Sequence, residues 1–164
     1  MSVKGIMINA DSAEVPMPFN RILLIVFVAW FVTQAIKLMV FWIINRKFVP
    51  ERFFGDGGMP SGHSAVVASL ATAIGLQSGW DSPLFAVATI LAVIVMHDAT
   101  GVRQETGKQA KVINDLVKML QARERGEMTP AETLKEFVGH TGPQVLVGML
   151  CGILIAVIMN VILP

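Results

Sequence analysis

The chain has 164 residues, of which 54% are hydrophobic and only 15% charged, with a mean hydropathy of +0.63. Soluble domains carry about 25% charged residues, so the composition excludes an ordinary soluble domain and requires an integral membrane protein. The net charge of +1 indicates no partner by itself, and the single Cys151, set in an apolar run, excludes a disulfide framework or a CxxC metal site within one chain.

Residues 1–20, with Pro16 and Pro18, read as a loose arm. The first apolar stretch, Arg21 to Ile44, is long enough to cross a bilayer, which takes about 20 residues. It starts too late, runs too long and contains Lys37, so a signal peptide is not expected. After the turn Gly55-Asp56-Gly57-Gly58, the stretches His63 to Leu76 and Leu84 to Met96 are short, and residues 77–83 between them read as a tight turn between antiparallel helices. Their brevity places them inside a bundle or leaves their ends in polar surroundings.

The segment 98–141 differs in kind. It holds Arg103, Lys108, Lys111, Lys118, Arg123, Arg125 and Lys135, seven of the thirteen Lys and Arg residues, together with seven acids, and must lie outside the hydrocarbon. Val112, Ile113, Leu116, Val117 and Leu120 recur at helical spacing, so an amphipathic helix is predicted from Gly107 to Ala122. Thr129-Pro130-Ala131-Glu132 predicts a capped start for a short helix reaching about Val138. A last apolar stretch, Pro143 to Leu163, completes an all-α, polytopic transmembrane bundle of about four membrane-embedded helices plus an amphipathic helical insertion. The expected organisation is a single membrane domain over 1–164: the arm 1–20, three helices within 21–97, the polar insertion 98–141 and the last helix 143–163.

With four spans, residues 45–60 and 98–141 fall on one face. Together with Lys37, Arg46, Lys47 and Arg52, that face gathers eleven cations against Lys4 and Arg21 on the other. The positive-inside rule makes it cytoplasmic, within a cell inner membrane. Lys37 lies about two turns inside the first span, a costly position unless it snorkels or meets an anion. Pro60-Ser61-Gly62-His63 then sets a hydroxyl, helix-mouth amides and an imidazole at the start of a helix, where unpaired amides and the dipole favour an anion. His97-Asp98 and Arg103 follow the third stretch, and Gly139-His140 precedes the fourth. Each has a structural competitor: a serine cap, a snorkelling lysine, an Asp98–Arg103 pair. Trp30, Trp42 and Trp80 read as interface or packing aromatics.

At these residues the chain resembles the type 2 phosphatidic acid phosphatase superfamily, which includes vanadium haloperoxidases, and within it a divergent branch of small membrane proteins. The resemblance covers about Lys37 to Gly152. Pro60-Ser61-Gly62-His63 matches the family's middle motif unchanged, and Lys37 and Arg46 resemble the first motif with a longer spacer and no proline after the arginine. The third motif is split: Arg103 resembles its arginine and Gly139-His140 its histidine end, with residues 104–138 inserted between them. Gln144 stands where the family has the aspartate that orients the nucleophile, which makes Asp98 the candidate substitute, ahead of Glu105 and Asp115.

The resemblance implies a phosphatase in which His140 attacks phosphorus, His63 protonates the leaving group, and Lys37, Arg46, Ser61, Gly62 and Arg103 neutralise the phosphoryl oxygens. It implies no cofactor and no metal, and no DxD or HExxH spacing suggests one. A site at the mouth of membrane helices suits a lipid with a terminal phosphate: phosphatidic acid, phosphatidylglycerol phosphate or a polyprenyl phosphate or diphosphate. Membrane lipids are the expected partners and nucleic acid is not. Small-residue helices such as Ser64 to Gly75 leave a homodimer open. The competing readings are a lipid-phosphate binder or carrier without turnover, favoured by Gln144, and a small transporter whose path is lined by Gln34 and Lys37.

Overall fold

The computed structural model describes residues 20–53, 55, 57–123, 133–134 and 139–163. Five α-helices account for most of them: α1 Arg21–Asn45, α2 Gly62–Ser78, α3 Pro83–Thr100, α4 Val102–Arg123 and α5 Gly142–Ile162. There is no strand among the described residues. The apolar stretches read from the sequence are therefore helices, with ends shifted by a few residues. Three helical runs, α1, the one that begins at Pro83, and α5, are long and apolar enough to cross a membrane. The bundle is that of a membrane protein. Its outward side chains, among them Leu23, Phe27, Leu84, Val87, Leu154 and Val161, are apolar and exposed, as contact with lipid demands.

At 17 residues and about 25 Å, α2 is shorter than the hydrocarbon core, and it lies against α1, α3 and α5. Its composition explains that position. Ser64, Ala65, Ala68, Ser69, Thr72 and Ala73 are buried small residues, and Ser69 and Thr72 return their hydroxyls to the backbone at Val66 and Ala68 (2.9 and 2.8 Å). No polar group is left facing hydrocarbon there. Without a hydrophobic driving force in lipid, helices associate through close van der Waals packing of small residues. Here α5 approaches so closely that a methyl group at Gly148 would overlap the Ser61 backbone, and one at Gly152 the Ala65 backbone. The matched steps 61 to 148 and 65 to 152 mean that α2 and α5 run parallel in register.

The other directions follow from contacts at the ends. Arg21, at the start of α1, donates to the carbonyls of Asn160 and Leu163 at the end of α5, and Ile25 packs with Ala73 and Ala156. So α1 runs against α2 and α5. Ser82 caps α3 by accepting Phe85 N–H (3.2 Å), and Trp80 fills the space over Gly75 and meets Phe85 edge-on at 5.0 Å. Trp80 is thus a packing aromatic of the α2–α3 turn, as expected. The N-termini of α2 and α5 and the C-termini of α1 and α3 share one end of the bundle.

The amphipathic helix begins five residues earlier than the periodicity indicates, because Val102 continues almost directly from α3. Its Gly107, Ala110 and Asn114 face are buried, and Asn114 holds Leu134 through both amide atoms (2.9 and 3.0 Å). Its Val112, Ile113, Leu116, Met119 and Leu120 are exposed. The helix expected from Thr129 to Val138, like the arm 1–19, lies outside the described residues apart from 133–134.

Candidate active site at the shared helix mouths

Beyond α1 the chain turns back on itself. Arg46 ends the helix in the left-handed region (φ 54°), its N–H bonded to Trp42 O at 2.8 Å. The chain then forms a short 3₁₀ turn, Pro50–Phe53, and Phe53 packs edge-on against Trp30 (5.8 Å) and Phe31 (5.5 Å). That clamp carries the following glycines down to the level of Lys37, eight residues or about 12 Å inside the end of α1. Irregular backbone at that depth is tolerated only against protein or a wet cavity, and Gly57 and Pro60 are buried. Gly57 and Gly58 take φ of 81° and 87°, values that glycine alone adopts without strain.

Lys37 is only 6% exposed and donates to Gly55 O at 3.3 Å. The side chain turns inward under the glycine turn instead of reaching the surface, so Lys37 is not a snorkelling anchor.

Ser61 caps α2. Its Oγ accepts Ser64 N–H at 3.3 Å and pairs with Ser64 Oγ at 2.9 Å, and the residue is fully buried. It shapes the helix mouth; Gly62 beside it is also buried, whereas His63 is exposed. Ser61 N–H also bonds Gln144 O at 3.1 Å, which ties the two parallel N-termini together. Each carries the partial positive charge of a helix start, so the two dipoles reinforce one another at the same place.

His140 arrives from the other side. Its N–H bonds Ala99 O at 2.9 Å, and Gly139 passes so close to α4 that a methyl group there would stand 2.5 Å from Gln104 N. The ring is almost buried and lies 6.4 Å, centroid to centroid, from that of His63. Two imidazoles more than seventy residues apart in sequence therefore meet. Gln144 Oε1 accepts Thr141 N–H at 3.0 Å and lies 3.4 Å from His140 Nδ1. The amide donor of Thr141 fixes the Gln144 oxygen on this side, where it can accept a hydrogen bond from His140 Nδ1 when that nitrogen carries a proton. Burial lowers the His140 pKa from 6.5, with repulsion from Lys37 and His63 in the same direction; Gln144 and the Gly58 backbone oppose it.

The remaining sequence candidates, Arg46, Asp98 and Arg103, are not among the residues lining the two cavities at this mouth. Arg46 is exposed and makes no side-chain bond among the described residues. Asp98 and Arg103 pair with each other, Arg103 Nε to Oδ2 at 2.8 Å, each about 40% exposed. Of the two roles open to Asp98, the structure shows the ion pair; the group beside the His140 ring is Gln144. Gln34 is a buried polar residue beside Gly62 at the start of α2 that motif matching does not indicate. It is 6% exposed, its Oε1 has no hydrogen-bond partner, and a methyl group at Gly62 would stand 3.5 Å from it. Its spacing of three from Lys37, on the same helix face, is the signal in the sequence.

Two cavities adjoin at Gly57, Gly58 and Gln144, which line both. One, about 340 Å³, reaches His140, Thr141 and the first turns of α4; the other, about 330 Å³, holds Lys37 beneath Val40, Phe41 and Ile44. No group of three or more potential metal ligands occurs among the described residues.

The family described as "Divergent PAP2 family" matches residues 19–155. An uncharacterized membrane protein of Bacillus subtilis (strain 168), YuiD, is 42% identical over 134 residues, which is 77% of this chain and 85% of that protein. No solved structure matches the chain.

Proposed function

The chain belongs to the divergent PAP2 family, and from that premise we propose that it is a membrane lipid phosphatase that removes a terminal phosphate through a phosphohistidine. The observation that carries this reading is the meeting of His63 and His140, 6.4 Å apart, at the joined N-termini of α2 and α5 with Lys37 buried beside them. Nothing in a purely structural cap requires a second imidazole and a buried ammonium at that point.

In this reading the phosphoryl group lies at the two helix mouths, held by Lys37 and the first-turn amides of α2. Negative charge shifting onto its oxygens in the transition state meets dipoles already oriented, so little reorganisation is required. His140, kept neutral at neutral pH because burial depresses its pKa, attacks phosphorus through Nε2 while Gln144 accepts a hydrogen bond from Nδ1–H. His63, exposed at the opening, gives its proton to the leaving lipid alkoxide and then takes one from the water that cleaves the phosphohistidine. Ser61 acts through the α2 cap that it forms. Gln144 sets the tautomer of His140 without adding charge to stabilise the imidazolium, so turnover slower than with a carboxylate there is expected.

The apolar cavity favours a lipid substrate. Val40, Phe41 and Ile44 above Lys37 continue onto the lipid-facing surface, where Ile44 is 72% exposed. A chain can enter sideways from the bilayer with its phosphate leading. The cation asymmetry of the two loop faces supports a cytoplasmic site, which suits a biosynthetic lipid phosphate.

A second reading, a binder or carrier that holds the phosphate without turnover, is favoured by Gln144. Purified protein in detergent, offered phosphatidic acid, phosphatidylglycerol phosphate and a polyprenyl phosphate, is expected to release inorganic phosphate and to be inhibited by vanadate. Binding without release would leave the carrier. If His63→Ala and His140→Ala both retain release, the enzyme reading is wrong.

A further inference from the structure

A phosphoryl group in this site carries close to two negative charges, yet few of the cations expected to meet it are there. Lys37 is in place. Arg46 stands exposed at the C-terminal cap of α1, and Arg103 has its Nε committed to Asp98. Neither arginine lines the cavity that contains His140; Lys108 and Lys111 do, from the first turns of α4. Three residues apart on one helix, they share a face, and both line the cavity together with His140 and Gln144. Gly107 and Gly139, which have no side chains, line the same cavity. Lys111 has no ion pair among the described residues, and Lys108 meets Glu105 at 2.6 Å in an exposed pair that an incoming dianion can displace.

We propose that Lys108 and Lys111 form the second half of the phosphate cradle, in place of the two arginines, so that the substrate phosphate is held between Lys37 on α1 and this lysine pair on the inserted helix. The inference rests on the phosphatase reading for its catalytic consequence, but the anion site that it describes would exist in a carrier as well. Two like charges on adjacent turns repel each other unless an anion lies between them. Such an anion accounts for their placement together in the cavity that contains His140.

The test uses full-length protein in an uncharged detergent, where attraction to anionic headgroups is removed. Lys111→Met is expected to lower kcat/KM for a lipid phosphate at least tenfold and the Lys108→Met/Lys111→Met pair about a hundredfold, with Lys111→Arg recovering most of the loss. Lys118→Met is the control, because Lys118 sits on the same helix outside the cavity, opposite Asp115 at 4.0 Å. Calorimetric titration with orthovanadate supplies the second arm. Vanadate binding that weakens in Lys111→Met and not in Lys118→Met supports the cradle even if no lipid is hydrolysed, in which case the phosphatase reading fails alone. Turnover and vanadate affinity that respond equally to Lys111→Met and Lys118→Met would overturn the inference and leave the enzyme reading standing.

Discussion

The α2–α5 interface and the helix α4 meet the same cavity but are built on opposite terms. At the interface, glycines bring backbone to backbone, Ser61 is fully buried, and the two helix starts are joined by a hydrogen bond. α4 touches the bundle through α3 and carries an exposed apolar stripe and exposed lysines. In the proposed phosphatase the difference separates two tasks. Reacting groups need fixed positions, since misplacement by an ångström lowers rate steeply, and close helix packing supplies that. Charge that only needs to be near an anion can come from a mobile side chain on an accessory helix.

The largest effects are expected at the rigid side. His140→Ala and His63→Ala should each reduce phosphate release by about three orders of magnitude or more, measured as kcat on a soluble short-chain lipid phosphate. A comparable loss should come from Gly148→Leu by a different route. The added side chain meets the Ser61 backbone, and overpacking should lower thermal stability in detergent by about 3 kcal/mol. Unchanged melting there would show that α5 can move away and that the interface is not rigid. Lys37→Met should cost about a hundredfold in kcat/KM, whereas Arg46→Met, at the exposed helix end, should change it by less than about threefold. Equal effects would return Arg46 to the cradle.

Smaller effects should appear with pH and in the accessory region. The folded-state pKa of His140 lies below 6.5, so at pH between the two values the unfolded chain binds more protons than the folded one. Stability is therefore full above about pH 6.5 and lost as pH falls through the lowered value, and the acid limb of kcat/KM should lie below 6.5 as well. Gln144→Glu should move that limb upward by placing a charge beside the ring; a limb that stays put would separate Gln144 from His140. Asp98→Asn should change stability by no more than about 1 kcal/mol, as for other exposed ion pairs. Its rate should stay within about twofold, because its carboxylate faces Arg103 and not an imidazole.

The amino-acid pattern alone determined the membrane setting, the helical stretches and the short turn at Gly79, because apolar length and turn residues act locally. It also singled out Ser61, His63 and His140 as candidates, through their resemblance to the motifs of a phosphatase family. It left Asp98 open between a histidine and Arg103, since two residues five apart at a helix end can face either way. The early start of α4 escaped periodicity because the first turn of that helix, residues 102–106, is polar except for Val102, so no apolar stripe announces it.

Only the tertiary structure decided which cations meet the cavity. The number of lysines and arginines on the loop face was legible from composition, but their directions depend on how α1 ends in a left-handed residue, how Phe53 folds the glycine turn back to Lys37, and how Gly139 brings His140 under α4. Those are contacts between residues far apart in the chain, and local sequence carries no record of which side of a helix its distant neighbours will occupy.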